Sequence, residues 1–151
     1  LLVMHADTSL WRIDPARPGA PRRLGELEMP GGRTGIGMDL RPDGEQILVG
    51  VSRQEGKDER RDIHVFGVDG RHLGRATDDG FAYGATWSPD GSAFFYKSGG
   101  ASVCDVGVGA CMGSCDLWLL PADARDVRNG DRLMQDDGTS FPCFGDLWWT
   151  V

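Results

Sequence analysis

The chain repeats a set of short landmarks at intervals of about 50 residues. Arg41-Pro42-Asp43-Gly44 matches Ser88-Pro89-Asp90-Gly91, and Asp62-Ile63-His64 matches Asp116-Leu117-Trp118. Thr77-Asp78-Asp79-Gly80 matches Gln135-Asp136-Asp137-Gly138, and the landmarks keep the same order in both copies. A period of this length is typical of β-propellers and solenoids, in which each repeat packs only against its neighbours.

Each copy predicts four short antiparallel strands. In the first complete copy we expect strands over residues 37–40, 47–52, 63–68 and 71–76, and in the second over 82–87, 93–98, 117–120 and 132–135. A Pro-Asp-Gly turn joins the first strand to the second in each copy, since proline presets φ and glycine tolerates positive φ. Residues 1–4 and 10–13 supply strands of an incomplete copy at the start of the chain.

The prediction is therefore an all-β chain built of four-stranded antiparallel β-propeller blades, with no long helix. We assign residues 1–151 to a single propeller region. The approximate blades are a partial blade 1–35, two complete blades 36–81 and 82–140, and the start of another blade in 141–151. The 23 glycines fit this interpretation, because short strands require many tight turns.

The segment Trp87-Ser88-Pro89-Asp90-Gly91, with Asp116-Leu117-Trp118-Leu119-Leu120 downstream, resembles the WD40-like repeat of TolB-like β-propellers. The resemblance implies about three blades of a longer, six-bladed type of propeller. It also implies a non-catalytic module, periplasmic or extracellular, that binds a protein or a small ligand. The alternative is the propeller portion of a prolyl-oligopeptidase-like hydrolase or of a propeller lyase. No Gly-x-Ser-x-Gly nucleophile motif occurs in the chain, which favours the non-catalytic interpretation.

Charge and hydropathy exclude two classes of partner. The formal net charge of −7 argues against a nucleic-acid-binding surface, which requires a basic face. No apolar run approaches the roughly 18 residues of a membrane span. For assembly, either the remainder of a larger propeller or a homodimer would cover the outermost blades.

Long connections on one side of the blades are the expected binding face. On this face lie four basic residues of a charged segment, Arg53, Lys57, Arg60 and Arg61, and two repeated acidic pairs, Asp78-Asp79 and Asp136-Asp137. The basic segment is either a recognition loop or a solvated hairpin tip. The acidic pairs are either turn residues inherited by each repeat or calcium ligands, and we predict no other cofactor or metal.

The four cysteines, Cys104, Cys111, Cys115 and Cys143, all lie in the last third of the chain. Three of them lie in or beside a Gly-rich insertion, where a disulfide would shorten a long loop. We expect at least one disulfide rather than a zinc site, because the sequence has no Cys-x2-Cys pair. Reduced core cysteines are the third option, and four cysteines allow three pairings.

Overall fold

A computed structural model describes residues 1–5, 8–31, 33–99, 103–105, 110–112 and 115–140. These residues form thirteen β-strands, and no helix occurs among them. No helix in the described ranges is long and apolar enough to cross a membrane.

The strands form three successive antiparallel sheets. The first sheet contains β1 (Leu2–Met4), β2 (Ser9–Arg12) and β3 (Arg22–Glu26). The second contains β4 (Arg33–Leu40), β5 (Gln46–Glu55), β6 (Asp58–Gly67) and β7 (His72–Arg75), in chain order. The third contains β8 (Ala82–Trp87), β9 (Ala93–Ser98), β12 (Asp116–Pro121) and β13 (Asp131–Leu133), and the hairpin β10 (Val103–Asp105) and β11 (Ala110–Met112) is inserted between β9 and β12. The predicted all-β architecture of four-stranded antiparallel sheets is confirmed.

The two Pro-Asp-Gly turns adopt the same local structure. Gly44 N–H donates to the Arg41 carbonyl (2.8 Å) and Gly91 N–H to the Ser88 carbonyl (2.9 Å). Gly44 and Gly91 have φ of +78° and +70°, which a side chain would strain. The repeated sequence therefore encodes a repeated turn between the first two strands of each sheet.

The second sheet is buried on both faces. Successive side chains of a strand point to opposite faces, so Ile47 and Val49 pack with Leu10 of the first sheet. Leu48 faces the other way and packs with Trp87 and other residues of the third sheet. This double burial explains why residues 47–51 are almost continuously apolar. The sheets are therefore stacked face to face in chain order, as blades are.

A polar junction fixes the second sheet against the third. The Asp39 carboxylate accepts a hydrogen bond from the Trp87 backbone N–H (Oδ2 to N, 2.7 Å). Burial raises the pKa of Asp39, and this hydrogen bond is the main opposing effect. The Arg41 guanidinium lies 5.3 Å from the centre of the Trp87 ring, a cation–π contact across the same junction.

Four strands differ most from the sequence prediction. β4 begins at Arg33 rather than at residue 37, and β3 was not predicted. The Gly-rich insertion contains the hairpin β10–β11, which we expected to be a loop. The predicted start of a further blade, 141–151, lies outside the described residues.

Candidate functional site

Residues 53–61 form a two-stranded ribbon at the end of β5 and β6, where the sequence predicted either a recognition loop or a solvated hairpin tip. Arg53 pairs with Arg60, and the ribbon closes in the two-residue turn Gly56-Lys57. Gly56 has φ +63°, as the first position of a type II′ hairpin turn requires. The ribbon carries all four predicted basic residues, and Lys57 is exposed at its tip.

An ion-pair network holds two arginines of the ribbon in place. Arg53 and Arg60 are direct cross-strand partners, an arrangement that is unfavourable for like charges. Glu55 offsets the repulsion, because its carboxylate lies 3.4 Å from Arg53 Nε and 3.6 Å from Arg60 Nη1. Both arginine side chains are about one-third exposed, so their guanidinium groups are positioned but accessible.

Asp62 anchors the base of the ribbon to the connection after β7. Its side chain is 2% exposed, and its Oδ1 accepts hydrogen bonds from Gly80 N–H (3.1 Å) and Thr77 Oγ1 (3.4 Å). Burial raises the pKa of Asp62, while the Gly80 hydrogen bond and the nearby guanidinium groups of Arg75 and Arg53 lower it. The buried carboxylate thus fixes the position of residues 77–80 beside the ribbon.

Residue 80 must be glycine for this packing. Its φ is +81°, and a Cβ there would lie 2.6 Å from Arg60 Nε. The backbone continues the contact, since Arg61 N–H donates to the Gly80 carbonyl (2.8 Å) and Arg61 forms a parallel bridge with Phe81. The ribbon and the Asp-Asp-Gly connection therefore form one surface.

An arginine–aromatic patch results on this surface, made of Arg61, Phe81 and Tyr83. Phe81 is 52% exposed, an unusual exposure for a large apolar ring. The Arg61 guanidinium lies 5.5 Å from the centre of the Tyr83 ring. Arginine and aromatic side chains together are the composition of protein-binding hot spots.

The first acidic pair has partners within the protein. The Asp78 carboxylate forms an ion pair with Arg75 (Oδ1 to Nη1, 2.7 Å). Asp79 Oδ1 accepts a hydrogen bond from the Phe81 N–H (2.8 Å), which closes a turn. Asp79 therefore holds the backbone at the exposed phenyl ring of Phe81 in place.

The second acidic pair repeats this turn chemistry. Asp137 Oδ1 accepts hydrogen bonds from the Thr139 N–H (2.9 Å) and Oγ1 (2.7 Å), and Gly138 repeats the positive φ of Gly80. Asp136 lies in the same turn. No group of three or more His, Cys, Asp or Glu side chains that could hold a metal occurs in the part of the chain that the structure describes.

Sequence reasoning missed the aromatic half of the patch. Phe81 and Tyr83 lie at the start of a strand, where an apolar residue is normally interpreted as core. The role of Asp62 had a visible signal in the repeat, because Asp62-Ile63-His64 matches Asp116-Leu117-Trp118. Asp116 forms an ion pair with Arg132 instead, so the repeated position anchors different partners in the two sheets.

The structure has Cys115 in a disulfide. The side chains of Cys104, Cys111 and Cys143 lie outside the described part of the structure. The strand register places Cys104 directly opposite Cys111 in the β10–β11 hairpin. The pairing of the four cysteines remains a prediction.

Comparison with known proteins gives a structural likeness. No family model matches the sequence, and no curated protein matches it. The crystal structure of TolB from Acinetobacter baumannii is similar to the chain, with a TM-score of 0.53 and 20% sequence identity. The similar region covers 87% of this chain and 27% of that TolB chain. With three stacked antiparallel sheets and this structural likeness, the chain has the fold of part of a TolB-type β-propeller.

Proposed function

We propose that the chain is a non-catalytic propeller module that binds a protein segment through the arginine–aromatic patch and the adjacent ribbon. The observation that carries the proposal is the exposure of Phe81 beside Arg61, whose guanidinium lies over the Tyr83 ring. Buried hydrogen bonds fix the backbone beside this exposed aromatic ring, and a fixed, exposed aromatic ring is typical of a residue that contacts a partner.

The rigidity of the patch supports binding. Gly80, Asp79 and Asp62 fix the backbone beside Phe81, so little conformational entropy would be lost when a partner binds. The arginines of the ribbon supply charge for an acidic or carbonyl-rich segment, and Phe81 and Tyr83 supply apolar area. This combination favours a peptide or protein surface over a small polar ligand.

We also propose a periplasmic or extracellular location. The disulfide at Cys115 supports it, since disulfides persist in oxidising compartments and are rare in the cytosol.

Selection of peptides from a displayed random library tests the binding proposal. Binders selected on the unmodified chain are synthesised with a fluorophore, and their dissociation constants are measured by anisotropy. We expect Phe81→Ser and Arg61→Ser each to weaken binding by roughly tenfold or more, the effect of removing a hot-spot residue. Circular dichroism of each variant verifies that it is folded.

Met134→Ser is the matched control, because Met134 is another large apolar residue that is 40% exposed. Its substitution should change affinity by less than about twofold. The proposal fails if selected peptides bind equally well to the Phe81 and Arg61 variants, or if Met134→Ser weakens binding as much as they do.

A further inference from the structure

A basic groove lies at the connection between β2 and β3, on the first sheet. Residues 12–23 contain four arginines and one aspartate, although the chain as a whole has a net charge of −7. The groove has a volume of about 480 Å³. Three arginines, one aspartate and four apolar residues line it, namely Arg12, Arg17, Arg22, Asp14, Leu1, Ile13, Pro15 and Ala20.

Two of these arginines face each other, and neither has a counter-ion among the described residues. Arg12 of β2 is the direct cross-strand partner of Arg22 of β3, so their Cβ atoms are about 5 Å apart and both guanidinium groups can reach one point. Neither guanidinium has an ion pair or hydrogen bond with the described residues. Like charges at such positions are destabilising, unless an anion binds between them.

The neighbouring arginines differ from this pair. The Arg17 guanidinium forms an ion pair with Asp14 (3.2 Å), and Arg23 forms one with Glu26 (3.3 Å). Local acidic residues thus neutralise Arg17 and Arg23, whereas Arg12 and Arg22 form no ion pair with the part of the chain that the structure describes.

The connection that carries the groove is rigid. Pro15, Pro18 and Pro21 fix φ at every third residue. Two consecutive turns close around them, with Arg17 N–H donating to the Asp14 carbonyl (2.9 Å) and Ala20 N–H to the Arg17 carbonyl (3.1 Å). A rigid wall of this kind holds a binding site in shape before the ligand arrives.

We propose that this groove binds the phosphate group of an organic phosphomonoester. Two guanidinium forks can each donate two hydrogen bonds to a phosphate dianion, a geometry for which arginine is suited better than lysine. The apolar wall of Ile13, Pro15 and Ala20 accommodates the organic part. The phosphate belongs either to a soluble metabolite or to a lipid headgroup, which share this chemistry.

Titration calorimetry with phenyl phosphate, at constant ionic strength set by sodium chloride, tests the proposal. We expect saturable binding with one site per chain. Arg12→Gln and Arg22→Gln should each weaken binding by about tenfold or more, the effect of losing one charge-assisted bidentate contact. Arg12→Lys keeps the charge but loses the fork, so it should weaken binding by a smaller but measurable factor.

Arg23→Gln is the matched control, because it removes one positive charge from β3, the strand that also carries Arg22. Arg23 differs from Arg22 in already forming an ion pair, with Glu26. Its affinity should stay within about twofold of the unmodified chain. Equal weakening by all three glutamine variants would indicate general electrostatic attraction and overturn the proposal, as would the absence of saturable binding. If the glutamine variants do not fold, Arg12→Lys and Arg22→Lys decide in the same way.

Co-sedimentation with vesicles distinguishes the two phosphate sources. Vesicles of phosphatidylcholine containing phosphatidic acid are compared with phosphatidylcholine alone. Sedimentation that requires phosphatidic acid and is lost in Arg12→Gln assigns the site to a lipid headgroup. Binding of phenyl phosphate without sedimentation assigns it to a soluble phosphomonoester.

Discussion

A buried histidine pair makes the stability of the fold depend on pH. His64, in the third strand of the second sheet, is 5% exposed, and its Nδ1 lies 2.9 Å from Nε2 of His72. One ring must therefore donate and the other accept. Burial, and then the neighbouring His72 and the guanidinium groups of Arg75 and Arg53, lower the pKa of His64 from 6.5 to about 4, against a smaller opposing effect of Asp126.

The sign and size of the effect follow from this shift. Between pH 6.5 and about pH 4 the unfolded chain protonates His64 and the folded chain does not. The stability contributed by neutral His64 is therefore complete above pH 6.5 and is lost as the pH falls toward 4. The difference between 6.5 and about 4 corresponds to roughly 3 kcal/mol, because one pKa unit is worth about 1.4 kcal/mol.

Urea unfolding of the unmodified chain and of His64→Phe, between about pH 7 and pH 4.5, measures this loss. Trp87 is buried and serves as the fluorescence reporter. Phenylalanine fits a site beside Phe66 and cannot be protonated, so the variant should lose about 2 to 3 kcal/mol less than the unmodified chain over this range. Burial raises the pKa of Asp39 and Asp62, which opposes the loss at low pH, but both proteins share these groups.

His5→Gln, which removes an exposed histidine, is the control and should follow the unmodified chain. Parallel pH dependences of the unmodified chain and His64→Phe would refute the argument, because His64 would then have similar pKa values in the folded and unfolded states.

Three further predictions concern single sites. Asp62→Ala leaves two buried donors, Gly80 N–H and Thr77 Oγ1, without their acceptor. The substitution should lower the free energy of unfolding by about 2 to 3 kcal/mol in urea titrations, and an unchanged urea midpoint would contradict the anchoring role of Asp62. Gly25→Ala should lower the free energy of unfolding by at least about 1 kcal/mol in thermal unfolding scans, because the new Cβ would overlap the backbone carbonyl of Asp69. Gly19→Ala should leave the stability unchanged, because the space around Gly19 is open, and equal stabilities of the two variants would contradict this account. Cys104 and Cys111 should form a cross-strand disulfide. Cleavage of the non-reduced chain at Asp105 and Met112, followed by mass spectrometry, would identify the linked peptides. A disulfide from Cys104 or Cys111 to another cysteine would contradict this pairing.

The strands and turns of the two complete sheets could be predicted from the sequence because the repeat encodes them locally. Pro42-Asp43-Gly44 and its copy specify the same hydrogen-bonded turn, and the apolar run after each turn is a strand buried on both faces. Strand β3 escaped prediction because Arg22-Arg23-Leu24-Gly25-Glu26 has no apolar alternation. Its pairing depends on the neighbouring strand β2 and on the close approach of the second sheet at Gly25.

The candidate site was predictable only in part. Charge-rich residues 53–61 lie on the surface that we propose for binding, but their strand pairing depends on the Gly56-Lys57 turn and on Glu55 between two arginines. The exposure of Phe81 is a tertiary property, because it depends on where Gly80 meets the ribbon. No local pattern distinguishes such a ring from a core residue.

The connection between the second and third strands is where the two complete sheets differ most. In the second sheet it is the charged ribbon with a two-residue turn, and in the third it is the Gly-rich insertion with the hairpin β10–β11. The Pro-Asp-Gly turns at the opposite ends of the strands are nearly identical in hydrogen bonding and in φ. In an up-and-down meander the connections after second strands all leave from the same side of the blades, so both elaborations belong to one side. The two sheets thus share the Pro-Asp-Gly turns on one side and differ in their connections on the other. Connections on a rigid framework can change in sequence without disturbing the packing of the core, so recognition can vary while stability is kept. The ribbon and the insertion are therefore the segments in which substitutions should alter binding more than folding.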